Sequence, residues 1–237
     1  MEEVQAIPFI EVAEATNELS ISSEAMSFLG SLRHSTKQIA VIVFAGPCRT
    51  GKSFLANRYL SRMSGFKVGR DLGAGTTTSG VWLWNETVPV SDECEAIVLD
   101  CEGLNSESRS YEVDVKIFAL CMLLSSQFVF NSTGSITETT LGDLSVIQLM
   151  AEEIKVRDFN PTGGSDEGEF SKYFPTFTWV LRDFPMAFKN LTPQGYMEQS
   201  LENDTSGISS QASASNNIRR CIKEFFGGSK DLVCHAL

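Results

Sequence analysis

The residues with the clearest chemical potential form one short string. Gly46-Pro-Cys-Arg-Thr-Gly51-Lys52-Ser53 fits the pattern G-x-x-x-x-G-K-[ST]. Glycines at its ends let backbone N–H groups converge on phosphate oxygens, and a helix starting near Gly51 would add the positive end of its dipole. Lys52 supplies a compact cation for β- and γ-phosphate oxygens, and the Ser53 hydroxyl suits an Mg2+ ligand. Gly46, Arg49, Thr50, Gly51, Lys52, Ser53 and Phe54 are therefore candidate contacts to a nucleoside polyphosphate. An ordinary glycine-rich turn could carry the same string. What argues against that is its setting, between an apolar run and a segment of helical spacing.

A second acid-bearing segment fits the same chemistry. Ala96-Ile-Val-Leu99 leads into Asp100-Cys-Glu-Gly103. A carboxylate at the end of a buried strand, following a phosphate loop in the chain, is placed to hold Mg2+ directly or through water. Gly103 could then bring a backbone N–H toward the γ-phosphate. Between these motifs, Thr76-Thr-Thr-Ser-Gly80 offers several hydroxyls where nucleotide switches place a threonine, and composition alone does not choose among them.

These side chains need elements to hold them. Gln38–Ala45 is a continuous β-branched apolar run, the pattern of a parallel strand covered on both faces. Strands are also expected at Ile7–Val12, Val81–Trp84, Ala96–Leu99, Phe128–Phe130, Phe177–Leu181 and Leu232–Cys234. Helices are expected over Glu24–Leu32 with a Ser22 or Ser23 cap, after Ser53, over Val113–Leu124 and over Thr139–Val156. Alternating strands and helices imply an α/β, three-layer P-loop fold with a mostly parallel central sheet flanked by helices. Val68–Ser79, Pro161–Glu169 and Asn203–Asn217, rich in small and polar residues, read as loops.

Composition narrows the function classes. A chain of 237 residues, 42% hydrophobic, is expected to form one domain over 1–237. A net charge of −11 argues against general nucleic-acid binding, so any phosphate ligand must be held locally. Six cysteines without a CxxC pair suggest neither a zinc site nor a disulfide framework, and fit reduced thiols in the cytoplasm. The apolar runs are too short to span a bilayer as a helix.

Taken together, Arg49-Thr-Gly-Lys-Ser53, Thr78-Ser-Gly-Val-Trp-Leu-Trp84, Leu99-Asp-Cys-Glu-Gly-Leu104, Phe128-Val-Phe-Asn131 and Trp179-Val-Leu-Arg-Asp-Phe184 resemble the guanylate-binding protein family of large dynamin-related GTPases. The resemblance covers essentially the whole chain and implies a G domain, followed in the family by a helical region outside these 237 residues. It places Arg182 and Asp183 at the guanine, in place of the absent [NT]-K-x-D motif. A carboxylate there accepts hydrogen bonds from N1–H and the exocyclic amine, a pattern adenine lacks. The resemblance further makes Arg49 a finger acting in cis, Thr78 the Mg2+-linked switch residue and Glu102 part of the water network at the γ-phosphate. Catalytic roles thus fall to Arg49, Lys52, Thr78 and Glu102, and metal ligation to Ser53, Thr78 and Asp100. It also implies GTP and GDP as substrate and product, a homodimer through the G domain in the GTP-bound state, and a guanine cap within Asn203–Asn217. Family members often carry histidine and lysine on either side of the switch threonine, where this chain has Thr77 and Ser79.

The expected function is Mg2+-dependent hydrolysis of GTP. A nucleotide-dependent interaction switch with little turnover is the alternative, and would be separated from it by phosphate release. A P-loop ATPase or nucleotide kinase is a third reading, separated by competition between GTP and ATP.

Overall fold

A computed structural model describes residues 5–13, 16–68, 80–101, 103, 110–150, 174–185, 191–203, 210–226 and 232–237. The chain divides into two compact units, Met1–Asn131 and Ser132–Leu237.

The first unit is built on a mixed sheet of strands β1 (Ala6–Val12), β2 (Leu19–Ile21), β3 (Gln38–Ala45), β4 (Val81–Trp84), β5 (Val88–Pro89), β6 (Cys94–Cys101) and β7 (Gln127–Thr133), the last of which runs on past Asn131. Their order is β2-β1-β4-β6-β3-β7, with β5 paired to β6. β3 lies parallel to both β6 and β7, so the strand preceding the phosphate loop is central. β4 runs antiparallel to β6 and to β1. Only residues 85–93 separate β4 from β6, too little chain for the crossover that a parallel pair requires. The interior of β6 is buried without interruption from Ala96 to Cys101, as a strand covered on both faces must be.

Helix α2 (Lys52–Tyr59) covers one face and α3 (Tyr111–Leu124) the other. Tyr59 packs on Phe44, whereas Phe118 of α3 meets Phe128 and Phe130. Phe44 is in register with Val129 and Ala45 with Phe130, so period-two alternation puts Phe44 and Phe130 on opposite faces. This gives the three layers expected. α1 (Ser23–Ser31) begins where Ser22 accepts a hydrogen bond from the Ala25 N–H, the expected cap.

The second unit pairs β8 (Thr176–Arg182) with β9 (Leu232–Ala236) in parallel. Around it lie α4 (Glu138–Gly142), a helical stretch over residues 145–150, α5 (Pro193–Ser200) and α6 (Ser210–Phe226). The expected helix over Thr139–Val156 is thus interrupted at 143–144, and residues beyond 150 fall outside the described set. Arg219 of α6 is buried and ties helices together: it pairs with Glu138, and its Nε donates to the Ser200 carbonyl at 3.1 Å.

One expectation is corrected, and one helix was not foreseen. Residues 210–217 do not belong to a loop but form the first half of α6, because Ser215, Ile218, Ile222, Phe225 and Phe226 bury one helical stripe despite a serine-rich flank. α5 was not anticipated, although Thr192 as cap followed by Pro193 is a helix-start signal. Val68 is the last described residue before the Gly- and Thr-rich stretch, and the expected loop at Pro161–Glu169 also lies outside the described residues.

Candidate phosphate and base sites

The phosphate loop connects β3 to α2 within the first unit. Gly46 has φ 138° and sits so close to β7 that a Cβ would lie 2.2 Å from the Asn131 carbonyl oxygen, which only glycine permits. Arg49 takes a left-handed φ of 61°, unusual for a residue with a side chain, and its side chain is exposed. Gly51, at φ 83°, caps α2 without a side-chain hydrogen bond. Lys52 is 7% exposed, and its Nζ donates to the Pro47 carbonyl at 2.8 Å, so the ammonium lies folded against the loop itself. Thr50 Oγ1 donates to the same carbonyl at 3.0 Å. Ser53 is half-buried, and Phe54 is exposed with the Arg58 guanidinium 5.0 Å above its ring.

Asp100 lies within β6 rather than beyond its end, in register with Phe44 and Trp82. Register with Phe44 turns its side chain to the face that α2 covers. Asp100 is fully buried, and neither carboxylate oxygen has a hydrogen-bond partner of good geometry. Burial pushes its carboxyl up to about 6, while the Ser53 hydroxyl and the Lys52 charge pull it less strongly downward. An orphaned, dry carboxylate beside a serine hydroxyl is the donor set that a hard divalent cation satisfies, so Asp100 and Ser53 fit Mg2+. No cluster of three or more acidic, histidine or cysteine side chains exists among the described residues, and a phosphate-loop metal site needs none.

Gly103 reaches the loop from the other side. A Cβ there would sit 2.5 Å from Cys48 Cα, and the Gly103 carbonyl accepts from Cys48 Sγ at 3.2 Å. Gly46, Arg49, Thr50, Gly51, Lys52, Ser53, Asp100 and Gly103 are therefore gathered around one loop. Thr78 and Glu102 lie outside the described residues.

In the second unit, β8 ends at Arg182, and Asp183 turns the chain left-handed with φ 52°, a conformation aspartate tolerates better than most residues. The turn is held by backbone bonds: Gly134 N–H donates to the Arg182 carbonyl at 2.7 Å, and Asp183 N–H donates to the Leu237 carbonyl at 3.0 Å. Asp183 is exposed and Arg182 half-buried. Phe184 packs on the Tyr196 ring at 4.9 Å, and Tyr196 Oη accepts from the Ile136 N–H.

The model of the guanylate-binding protein N-terminal domain matches residues 16–236. The chain belongs to the guanylate-binding protein family. It is similar to guanylate-binding protein 6 of Mus musculus, 33% identical over 239 residues, and to guanylate-binding protein 2 of Homo sapiens, 32% identical over 233 residues. These alignments take in 98% and 95% of the chain, which spans 38% of the length of each relative. Among solved structures, Aquifex aeolicus Era bound to GDP and AlF4− is similar at a TM-score of 0.36 and 16% identity, over 84% of this chain and 51% of that one.

In this guanylate-binding protein family domain, the sequence singled out residues 46–54, Asp100 and the Arg182–Asp183 pair as candidates, and it assigned no role to Asn131 or Asn57. Asn57 is buried in α2 and exchanges two hydrogen bonds with the backbone of Phe66, anchoring the chain beyond the helix. The signal for Asn131 was a carboxamide closing the apolar run Phe128–Phe130. No described helix is long and apolar enough to cross a membrane.

Proposed function

We propose that this domain binds GTP with Mg2+ and hydrolyses it to GDP and phosphate. The observation that carries the reading is the fully buried Asp100 carboxylate, with no well-formed hydrogen bond, beside Ser53 and Lys52 at the foot of a glycine-bounded loop. Mg2+ held by Ser53 and Asp100, with Thr78, would supply charge neutralisation at the β- and γ-phosphates.

The chain's own residues account for the remaining work. Lys52 exchanges the Pro47 carbonyl for phosphate oxygens, a short movement of a flexible side chain. Backbone N–H groups of the loop and of the first turn of α2 orient the phosphates. Arg49, exposed at the loop apex, brings a permanently charged fork to the oxygens on which charge develops as water attacks. By family resemblance, Thr78 is the Mg2+-linked switch residue and Glu102 belongs to the water network at the γ-phosphate. Asp183 selects guanine by accepting from N1–H and the exocyclic amine, with Arg182 beside it. We further propose cytoplasmic residence and a GTP-bound homodimer, with a guanine cap in the 203–217 segment, as the family resemblance implies.

The test is phosphate release from GTP with Mg2+ by the natural domain and by Arg49→Ala, with products separated by chromatography and oligomer size followed alongside. GDP and phosphate should form, and Arg49→Ala should slow release on the order of 10³-fold. A dimer should form with a transition-state mimic of GTP but not with GDP. Equal, near-zero rates in both proteins with GTP still bound would instead identify an interaction switch.

A further inference from the structure

Asn131 has no accessible surface and stands where β7 passes beneath the phosphate loop. Its Nδ2 donates to the Thr50 carbonyl at 2.9 Å and to Thr50 Oγ1 at 3.0 Å. A carbonyl oxygen only accepts, so this contact fixes the carboxamide orientation: Nδ2 faces Thr50 and Oδ1 lies on the far side. That Oδ1 is buried without a hydrogen-bond partner. An orphaned acceptor is a standing free-energy cost, which an apolar side chain of similar size would avoid.

What the carboxamide secures is the orientation of a peptide plane. In a trans peptide the carbonyl and the following N–H point in opposite directions, and no cis bond occurs among the described residues. Holding the Thr50 carbonyl to Asn131 therefore turns the Gly51 N–H away from β7. Gly46, at the start of the loop, presses on the backbone of the same asparagine. Asn131 thus meets the loop at its first and fifth positions.

We propose that Asn131 is a positioning residue for the phosphate loop: one buried carboxamide sets the Thr50–Gly51 peptide and thereby the loop's hold on the β-phosphate. The inference rests on the reading of residues 46–53 as a nucleotide phosphate loop.

The experiment measures GDP and GMP affinity by calorimetry for the natural domain, Asn131→Leu, Thr50→Val and the double variant. GMP lacks the β-phosphate, so a purely structural role would move both affinities together or neither. Asn131→Leu should lose at least about tenfold in GDP affinity while GMP affinity changes by less than about twofold. Thr50→Val, which keeps the carbonyl but loses the hydroxyl's bonds to Asn131 and to Pro47, should lose GDP affinity by about threefold, and should cost less on top of Asn131→Leu than in the natural domain. An unchanged ratio of GDP to GMP affinity in Asn131→Leu overturns the proposal. Should that variant fail to unfold cooperatively, the ratio in Thr50→Val decides in the same way. A natural domain that binds neither nucleotide would defeat the phosphate-loop reading itself, a different outcome from either.

Discussion

Asp100 carries an electrostatic cost that the fold retains. A carboxyl raised from 3.8 to about 6 favours the protonated form in the folded state. The stabilisation from that proton is complete below the unfolded value near pH 4 and is lost as pH rises through about 6. The loss is on the order of 3 kcal/mol by linkage. Asp100→Asn has no such group to ionise. Urea unfolding in chelator at pH 4.5 and 7.5 should therefore show the natural domain losing stability relative to Asp100→Asn across that interval. Parallel stabilities at both pH values would mean that the carboxylate is not desolvated. The left-handed Arg49 backbone and the Lys52 bond to the Pro47 carbonyl are further local features of the loop's conformation. None of this was visible in the motif string, which gives residue types and order but no burial.

At the scale of elements, the site depends on backbones that approach too closely for side chains. Gly103 against Cys48 is one such contact, and Gly46 against Asn131 is another. Gly103→Ala should push the loop away from the end of β6 and weaken GDP binding by about tenfold or more, read by calorimetry. Gly30→Ala, in α1 with nothing within 4 Å of the new methyl, should leave binding intact and raise stability by about 0.5–1 kcal/mol. Equal binding by both variants would remove the close approach from the account. The elements themselves differed in legibility. β3 matched its apolar run residue for residue because a strand covered on both faces leaves no choice of composition. The first half of α6 was read as loop because residues 203–217 are dense in Ser, Asn, Asp and Gly, whereas burial of Ser215, Ile218, Ile222 and Phe226 extends the helix back to Ser210. The left-handed turn at Asp183 was illegible for a related reason, since its amide is held by Leu237, far along the chain.

For the whole molecule, the governing fact is that an acidic chain brings Lys52 and the backbone amides of residues 46–53 together in one loop, the place proposed for a polyanion. At a net charge of −11, long-range attraction cannot gather a nucleotide, so affinity must come from oriented amides, Lys52 and a divalent cation at short range. That is why the phosphate half was readable from a contiguous string. The proposed base half was not, because Arg182 and Asp183 are an unremarkable pair in sequence and are assigned to guanine only by family resemblance. The most direct test of the central claim is equilibrium binding of GTP and of ATP, with Mg2+, to the natural domain and to Lys52→Ala. GTP should bind the natural domain at least about 10²-fold more tightly than ATP, and Lys52→Ala should lose most of the GTP affinity. Undiminished GTP binding by Lys52→Ala, or a preference for ATP, would contradict it.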